Sequence, residues 1–224
     1  MKSPTKQDLF ILDIDSTLVT THQRNQAILD NFVKEFKELH PEDCEQIAQA
    51  QCEFGDYGIE TSLKRIDFNP SEQGLHQKLM QFWRDHFFTN EYLKVDLPTN
   101  GAVEWVQAID SQNIPFIYLT ARHKVSMWEG TLESLNQLGF PINEEILFLK
   151  DDLSKKDEEY KSHLIANIIK KNSDKTIWLI DNEPVVLNQI KNDHPQVNLV
   201  WFDSVHSGKQ QPPQNVTTIN SFVF

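Results

Sequence analysis

Asp13 and Asp15 stand two residues apart at the end of an apolar run, residues 9–14, and Ser16 and Thr17 follow at once. On an extended backbone, side chains at i and i+2 leave by the same face. Two carboxylates that close repel each other, and both stay ionised only beside a cation or strong donors. Later apolar runs also end in polar groups: Thr120-Ala121-Arg122 after residues 114–119, and Asp181-Asn182-Glu183 after residues 176–180. If these runs are strands of one open sheet, their ends line one crevice, because ligands in such sheets bind outside the carboxyl ends of the strands. Asp13, Asp15 and Asp181 would then supply hard oxygen ligands, with room left for water and a phosphate. That set suits Mg²⁺ better than zinc, which prefers nitrogen and sulfur.

The elements that must position these residues are legible in the spacing of apolar positions. Residues 9–14, 114–119, 146–149, 176–180 and 198–202 are apolar at nearly every position. Strands buried on both faces of a parallel sheet have this composition. Between them the period becomes helical: Val103, Val106 and Ile109 share a face, as do Leu132, Leu135 and Leu138, and Leu164, Ile165, Ile168 and Ile169. The alternation predicts an α/β fold with a doubly wound, mostly parallel sheet. A terminal apolar piece, residues 216–224, adds a late strand.

About a hundred residues separate the first run from the second, where one crossover helix would do. Two amphipathic stretches fill much of that gap. One carries Ile28, Leu29, Phe32, Val33, Phe36 and Leu39; the other carries Leu75, Leu79, Phe82, Trp83 and Phe87. Gly55, Gly58, Asn69, Pro70 and Gly74 punctuate the chain between them. We expect residues 20–98 to form a mostly helical insertion over a core made of residues 1–19 and 99–224. Phe82, Trp83 and Phe87 are expected to pack inside that insertion.

Composition excludes several classes of function. The 224 residues carry 33 acidic and 21 basic side chains, a net charge of −12, which repels polyphosphate backbones and argues against a nucleic-acid partner. No apolar run approaches the roughly 20 residues needed to span a bilayer, so no membrane role is expected. Cys44 and Cys52 are too few for a disulfide framework and wrongly spaced for zinc, so they read as plain thiols. MKSPTKQ leads directly into the first strand run without a long apolar stretch or a small-residue cleavage site, and a cytoplasmic location is expected. Oligomeric state is not assigned by any of these features.

The ordered set of motifs resembles the haloacid dehalogenase superfamily, most of whose members are Mg²⁺-dependent phosphatases. FILDIDSTLV is similar to its first motif, IYLTAR to its second and WLIDNEP to its fourth. The resemblance covers residues 9–19 and about 100–203, and residues 20–98 then correspond to a cap inserted between the first two motifs. It implies an aspartyl-phosphate on Asp13 and a general acid/base role for Asp15, whose main-chain carbonyl would also bind Mg²⁺ beside Asp13 and Asp181. Thr120 would bind the transferring phosphoryl group, and Arg122 would contact substrate. Asp15 also argues against dehalogenation, because members doing that chemistry lack the second aspartate. The family's third motif is a lysine or arginine, for which Lys161 is favoured over Lys150 because it opens a helical stretch ahead of the fourth strand.

The fourth motif departs from common versions, since DNEP has no second aspartate beside or shortly after Asp181. It is closer to the D-N-x-P of phosphatases acting on the RNA polymerase C-terminal tail, which makes Asn182 a further candidate ligand and Glu183 a support. The resemblance also places His22 and Arg24, shortly after the first motif, in the family's mobile entry segment, where they would meet the substrate's leaving group. The implied substrate is a small phosphorylated molecule. Two alternatives stay open: a phosphotransferase, and a non-catalytic module that binds phosphate and metal on the same fold.

Overall fold

The computed structural model describes residues 4–71 and 74–223. Six parallel strands form the main sheet: β1 (Asp8–Leu12), β4 (Phe116–His123), β5 (Leu147–Lys150), β6 (Thr176–Asp181), β7 (Asn198–Phe202) and β8 (Thr217–Ile219). Their spatial order is β5-β4-β1-β6-β7-β8. The doubly wound sheet expected from the apolar runs is therefore the observed one.

Burial on both faces explains why those runs lack polar positions. Along β1, Phe10 and Leu12 point into one apolar cluster, with Trp105, Val106 and Ile109 of α5 (Ala102–Ser111) and Met127 and Leu135 of α6 (Lys124–Gln137). Leu9 and Ile11 point into the other, with Tyr160, Ile165 and Ile168 of α7 (Asp157–Lys171) and Val186, Leu187 and Ile190 of α8 (Pro184–Asp193). Successive side chains thus alternate between two helical layers. The chain leaves β1 toward β4 on one side and later returns to β6 on the other. The reversal of strand order falls between β1 and β6, and the crevice lies beyond their carboxyl ends.

Between β1 and β4 the chain makes a helical insertion. It contains α1 (His22–Phe36), α2 (Pro41–Ile47), α3 (Glu60–Arg65), α4 (Leu75–Phe87) and a 3₁₀ turn, Leu93–Val95. These elements have an apolar centre of their own, with Ile28, Leu29, Phe32, Ile47, Leu79 and Phe82 buried in it. Two short antiparallel strands, β2 (Val19–Thr20) and β3 (Leu97–Pro98), pair where the chain leaves for the insertion and returns from it.

Two expectations change. Leu39 lies past the end of α1 and is exposed. Pro41 opens the next helix there, and the residue before a proline is pushed out of helical geometry. Phe82 packs inside the insertion as expected, but Trp83 and Phe87 also border the crevice. Residue 224, the last of the terminal apolar piece, lies outside the described residues; the strand itself is confined to β8.

Candidate active site

Asp13 leaves β1 at the sheet edge, its amide hydrogen-bonded to the Ile180 carbonyl of β6 at 3.0 Å. The chain then turns tightly, with the amides of Thr17, Leu18 and Val19 all donating to the Ile14 carbonyl. Ser16 takes a left-handed conformation, φ 61°, and its carbonyl accepts from Ser204 Oγ. This turn brings Thr17 back, so that its Oγ1 donates to Asp13 Oδ2 at 3.0 Å.

Lys161 closes the constellation from the opposite layer. Its Nζ donates to Asp13 Oδ1 and to Asp181 Oδ2, each at 2.6 Å. All three side chains are buried. α7 begins at Asp157, so Lys161 lies one turn inside the helix rather than at its start. Lys150 instead pairs with Asp157 at 2.7 Å. Burial raises the Asp13 carboxyl to about 7 against the opposing pull of Lys161, with Asp181 and Asp15 adding to the rise. For Lys161 burial works against its charge, but Asp13 and Asp181 outweigh it and hold the ammonium well above its ordinary value.

Asp15 has different company. Arg122 Nε and Nη2 donate to its two oxygens at 2.8 and 2.9 Å, and Arg24 Nη2 donates to Oδ1 at 2.7 Å. Both guanidiniums also bond Asp96, which precedes β3. Burial alone would raise the Asp15 carboxyl, but Arg122 and Arg24 reverse that and hold it far below the usual carboxylate range. Arg24 belongs to the insertion, Arg122 and Asp15 to the sheet edge, and Asp96 to the returning segment. One network, buried except at Asp15, therefore ties the insertion to the sheet edge.

Of the remaining sequence candidates, Thr120, Asn182 and Glu183 line the same space and His22 does not. Thr120 is buried in the crevice wall and accepts from the Arg122 amide at 3.2 Å. Asn182 Oδ1 lies 3.3 Å from Thr17 Oγ1, where it competes with Asp13 for the one hydroxyl proton, while its Nδ2 donates to the Val205 carbonyl. Glu183 caps α8 through the Val185 amide and also accepts from the amide and hydroxyl of Ser207. His22 packs edge-on against Phe54. The crevice they enclose has a volume of about 220 Å³. Asp96 carries no sequence signal, because its partners Arg24 and Arg122 are 72 and 26 positions away.

The donor chemistry partly fits Mg²⁺. Among the described residues no three acidic, histidine or cysteine side chains are gathered as a metal cluster. Two buried carboxylates, Asp13 and Asp181, do meet across the Lys161 ammonium. They could be joined by the Asp15 main-chain carbonyl and the Asn182 side-chain oxygen.

No family model matches the chain, and no curated protein matches it by sequence. Solved structures do. A haloacid dehalogenase-superfamily hydrolase of subfamily IA from Geobacter sulfurreducens aligns over 99% of this chain and 95% of its own, at 10% identity and TM-score 0.58. The fold is that of the haloacid dehalogenase-like hydrolases. A predicted phosphoglycolate phosphatase from Haemophilus somnus has the same fold, at 15% identity and TM-score 0.56 over 98% of this chain and 96% of that one. So has CbbY from Rhodobacter sphaeroides in complex with xylulose-(1,5)bisphosphate, at 13% identity and TM-score 0.53 over 96% and 94%. No described helix of this chain is long and apolar enough to cross a membrane.

Proposed function

We propose that the chain is a Mg²⁺-dependent phosphomonoester hydrolase, with residues 20–98 acting as a cap over a core of residues 1–19 and 99–224. The observation that carries this reading is Lys161 bridging Asp13 and Asp181 at the floor of the crevice. The fold shared with hydrolases and phosphatases supports it, and the bisphosphate bound to CbbY supports a small phosphorylated substrate.

In this reading an Asp13 oxygen attacks phosphorus in line, the ester P–O bond breaks, and an aspartyl-phosphate forms. Lys161 and Thr17 hold the two Asp13 oxygens and so fix the direction of attack. Thr120 and Lys161 bind the phosphoryl oxygens. Asp15 gives a proton to the leaving oxygen, then removes one from the water that hydrolyses the intermediate. The Arg24–Arg122 clamp holds Asp15 in its base form. The acid half-reaction therefore needs the clamp to loosen, which a shift of Arg24 with the cap would accomplish. Asp13, Asp181, the Asp15 carbonyl and Asn182 would hold a Mg²⁺ ion, which would supply the positive charge that admits a phosphate dianion.

Hydrolysis of p-nitrophenyl phosphate tests the reading. Turnover should vanish with a chelator, return with Mg²⁺, and fall about a thousandfold or more in Asp13→Asn. Equal turnover by wild type and Asp13→Asn would end it.

A further inference from the structure

The two ends of the crevice differ in chemistry. At the floor stand Asp13, Lys161 and Asp181. The mouth is made of Tyr57, Trp83, Phe87 and Phe88. These rings are held in place: Trp83 Nε1 donates to Asn25 Oδ1 at 2.8 Å, Phe88 stacks on His123 at 5.2 Å and 14°, and Phe87 covers the Arg24 guanidinium at 4.5 Å. Tyr57 is 57% exposed and stands close enough to Glu183 and Asp157 that both add to the rise burial causes in its phenol.

The charges of the wall are lopsided. Arg122 and Lys161 are its only cations among the described residues, and both are occupied: Arg122 by Asp15 and Asp96, Lys161 by Asp13 and Asp181. Arg24 keeps Nη1 without a partner, but it is fully buried beneath Phe87 and is not part of the wall. Asp157 is paired with Lys150, whereas Glu183 is bonded by Val185 and Ser207 and has no ion pair among the described residues. A second anionic group on a substrate would therefore enter a negative field without a counter-charge. An ammonium would find the Tyr57 ring and the Glu183 carboxylate close together in a wall that also carries Trp83, Phe87 and Phe88, the combination that recognises alkylammonium ligands.

We infer that the crevice selects a monophosphate ester of an alcohol that bears an ammonium group and no second anion. The phosphate lies at the Asp13 floor and the ammonium at the aromatic mouth. This inference rests on the phosphatase reading above and names its substrate class.

The test is a comparison of kcat/KM for choline phosphate and ethanolamine phosphate with that for 2-phosphoglycolate and a sugar bisphosphate, using p-nitrophenyl phosphate as reference. The ammonium esters should exceed the anionic ones by about tenfold or more, and the ratio should shrink as salt is raised. Tyr57→Lys, at an exposed position, should narrow the ratio by raising KM for choline phosphate and lowering it for 2-phosphoglycolate. Turnover of p-nitrophenyl phosphate with the anionic esters equal or better would overturn the substrate class while leaving the phosphatase reading intact. An unchanged ratio in Tyr57→Lys would overturn the recognition by the mouth. No turnover of any ester, the reference included, would overturn the phosphatase reading and this one with it.

Discussion

Arg122 grips Asp15 through two bonds, Nε to Oδ2 at 2.8 Å and Nη2 to Oδ1 at 2.9 Å. Planar guanidinium and planar carboxylate match in this geometry, which a lysine cannot reproduce. Arg24 adds a third bond from the insertion, so the carboxylate carries two positive partners. A carboxyl held below its ordinary value of 3.8 contributes stability that is present above that value and lost as pH falls through and below it.

The clamp makes Arg24 a positioning residue for Asp15. In Arg24→Gln the Asp15 carboxyl rises, and the basic limb of the kcat/KM–pH profile, where Asp15 loses the proton it must give to the leaving oxygen, should move to higher pH. Arg24→Lys should restore part of the wild-type profile. A lowered Tm with an unmoved profile would mean that Arg24 serves only to hold the insertion.

Lys161→Met should destabilise the metal-free protein by about 3–5 kcal/mol, because Asp13 and Asp181 would be left buried without their counter-charge. Urea unfolding measures the loss, and Mg²⁺ should recover part of it. Unfolding midpoints that match wild type would show that the two carboxylates do not depend on the ammonium.

The reach of the sequence follows from the range of the interactions. Strands were legible because burial on both faces leaves β1 and β6 almost wholly apolar, a local signal. Helices α2 and α3 were not, since at seven and six residues they are too short to show a period, and side-chain bonds help to secure them beside Ile47 and Leu63 in the apolar centre. Asp43 accepts from the Ser71 amide and hydroxyl, and Asp56 from Arg65 and the Glu53 amide. At the site, Asp13, Asp15, Thr120 and Asp181 were legible because each ends a strand run. The Arg24–Asp96–Arg122 network was not, because it joins distant positions with no shared motif.

Gly130 lies inside α6, where alanine normally stabilises by up to about 1 kcal/mol. Here the sign should reverse. A Cβ would come within 2.7 Å of Asn90 Oδ1 and 2.9 Å of Asn90 Cα, and the Gly130 amide already donates to that oxygen. Gly130→Ala should cost about 1–3 kcal/mol in chemical unfolding. A rise in stability would mean that the Asn90 segment can move away freely.

The raised Asp13 carboxyl sets a pH dependence for the metal-free protein. Its contribution to stability is full below the unfolded value of 3.8 and is lost as pH rises through about 7. The Tm of wild type minus that of Asp13→Asn should therefore decline from about pH 4 to about pH 8. Mg²⁺ requires the ionised carboxylate, so its effect on Tm should be larger at pH 8 than at pH 6. Thermal shifts with and without Mg²⁺ check both. An Mg²⁺ effect that is flat with pH would detach the metal from Asp13.

The most direct test is mass spectrometry of the wild-type protein quenched in acid during turnover. The account predicts one phosphate mass on the peptide that contains Asp13, lost on treatment with hydroxylamine and absent from Asp13→Asn. Steady release of phosphate with no adduct on that peptide, or an adduct on another residue, would contradict it.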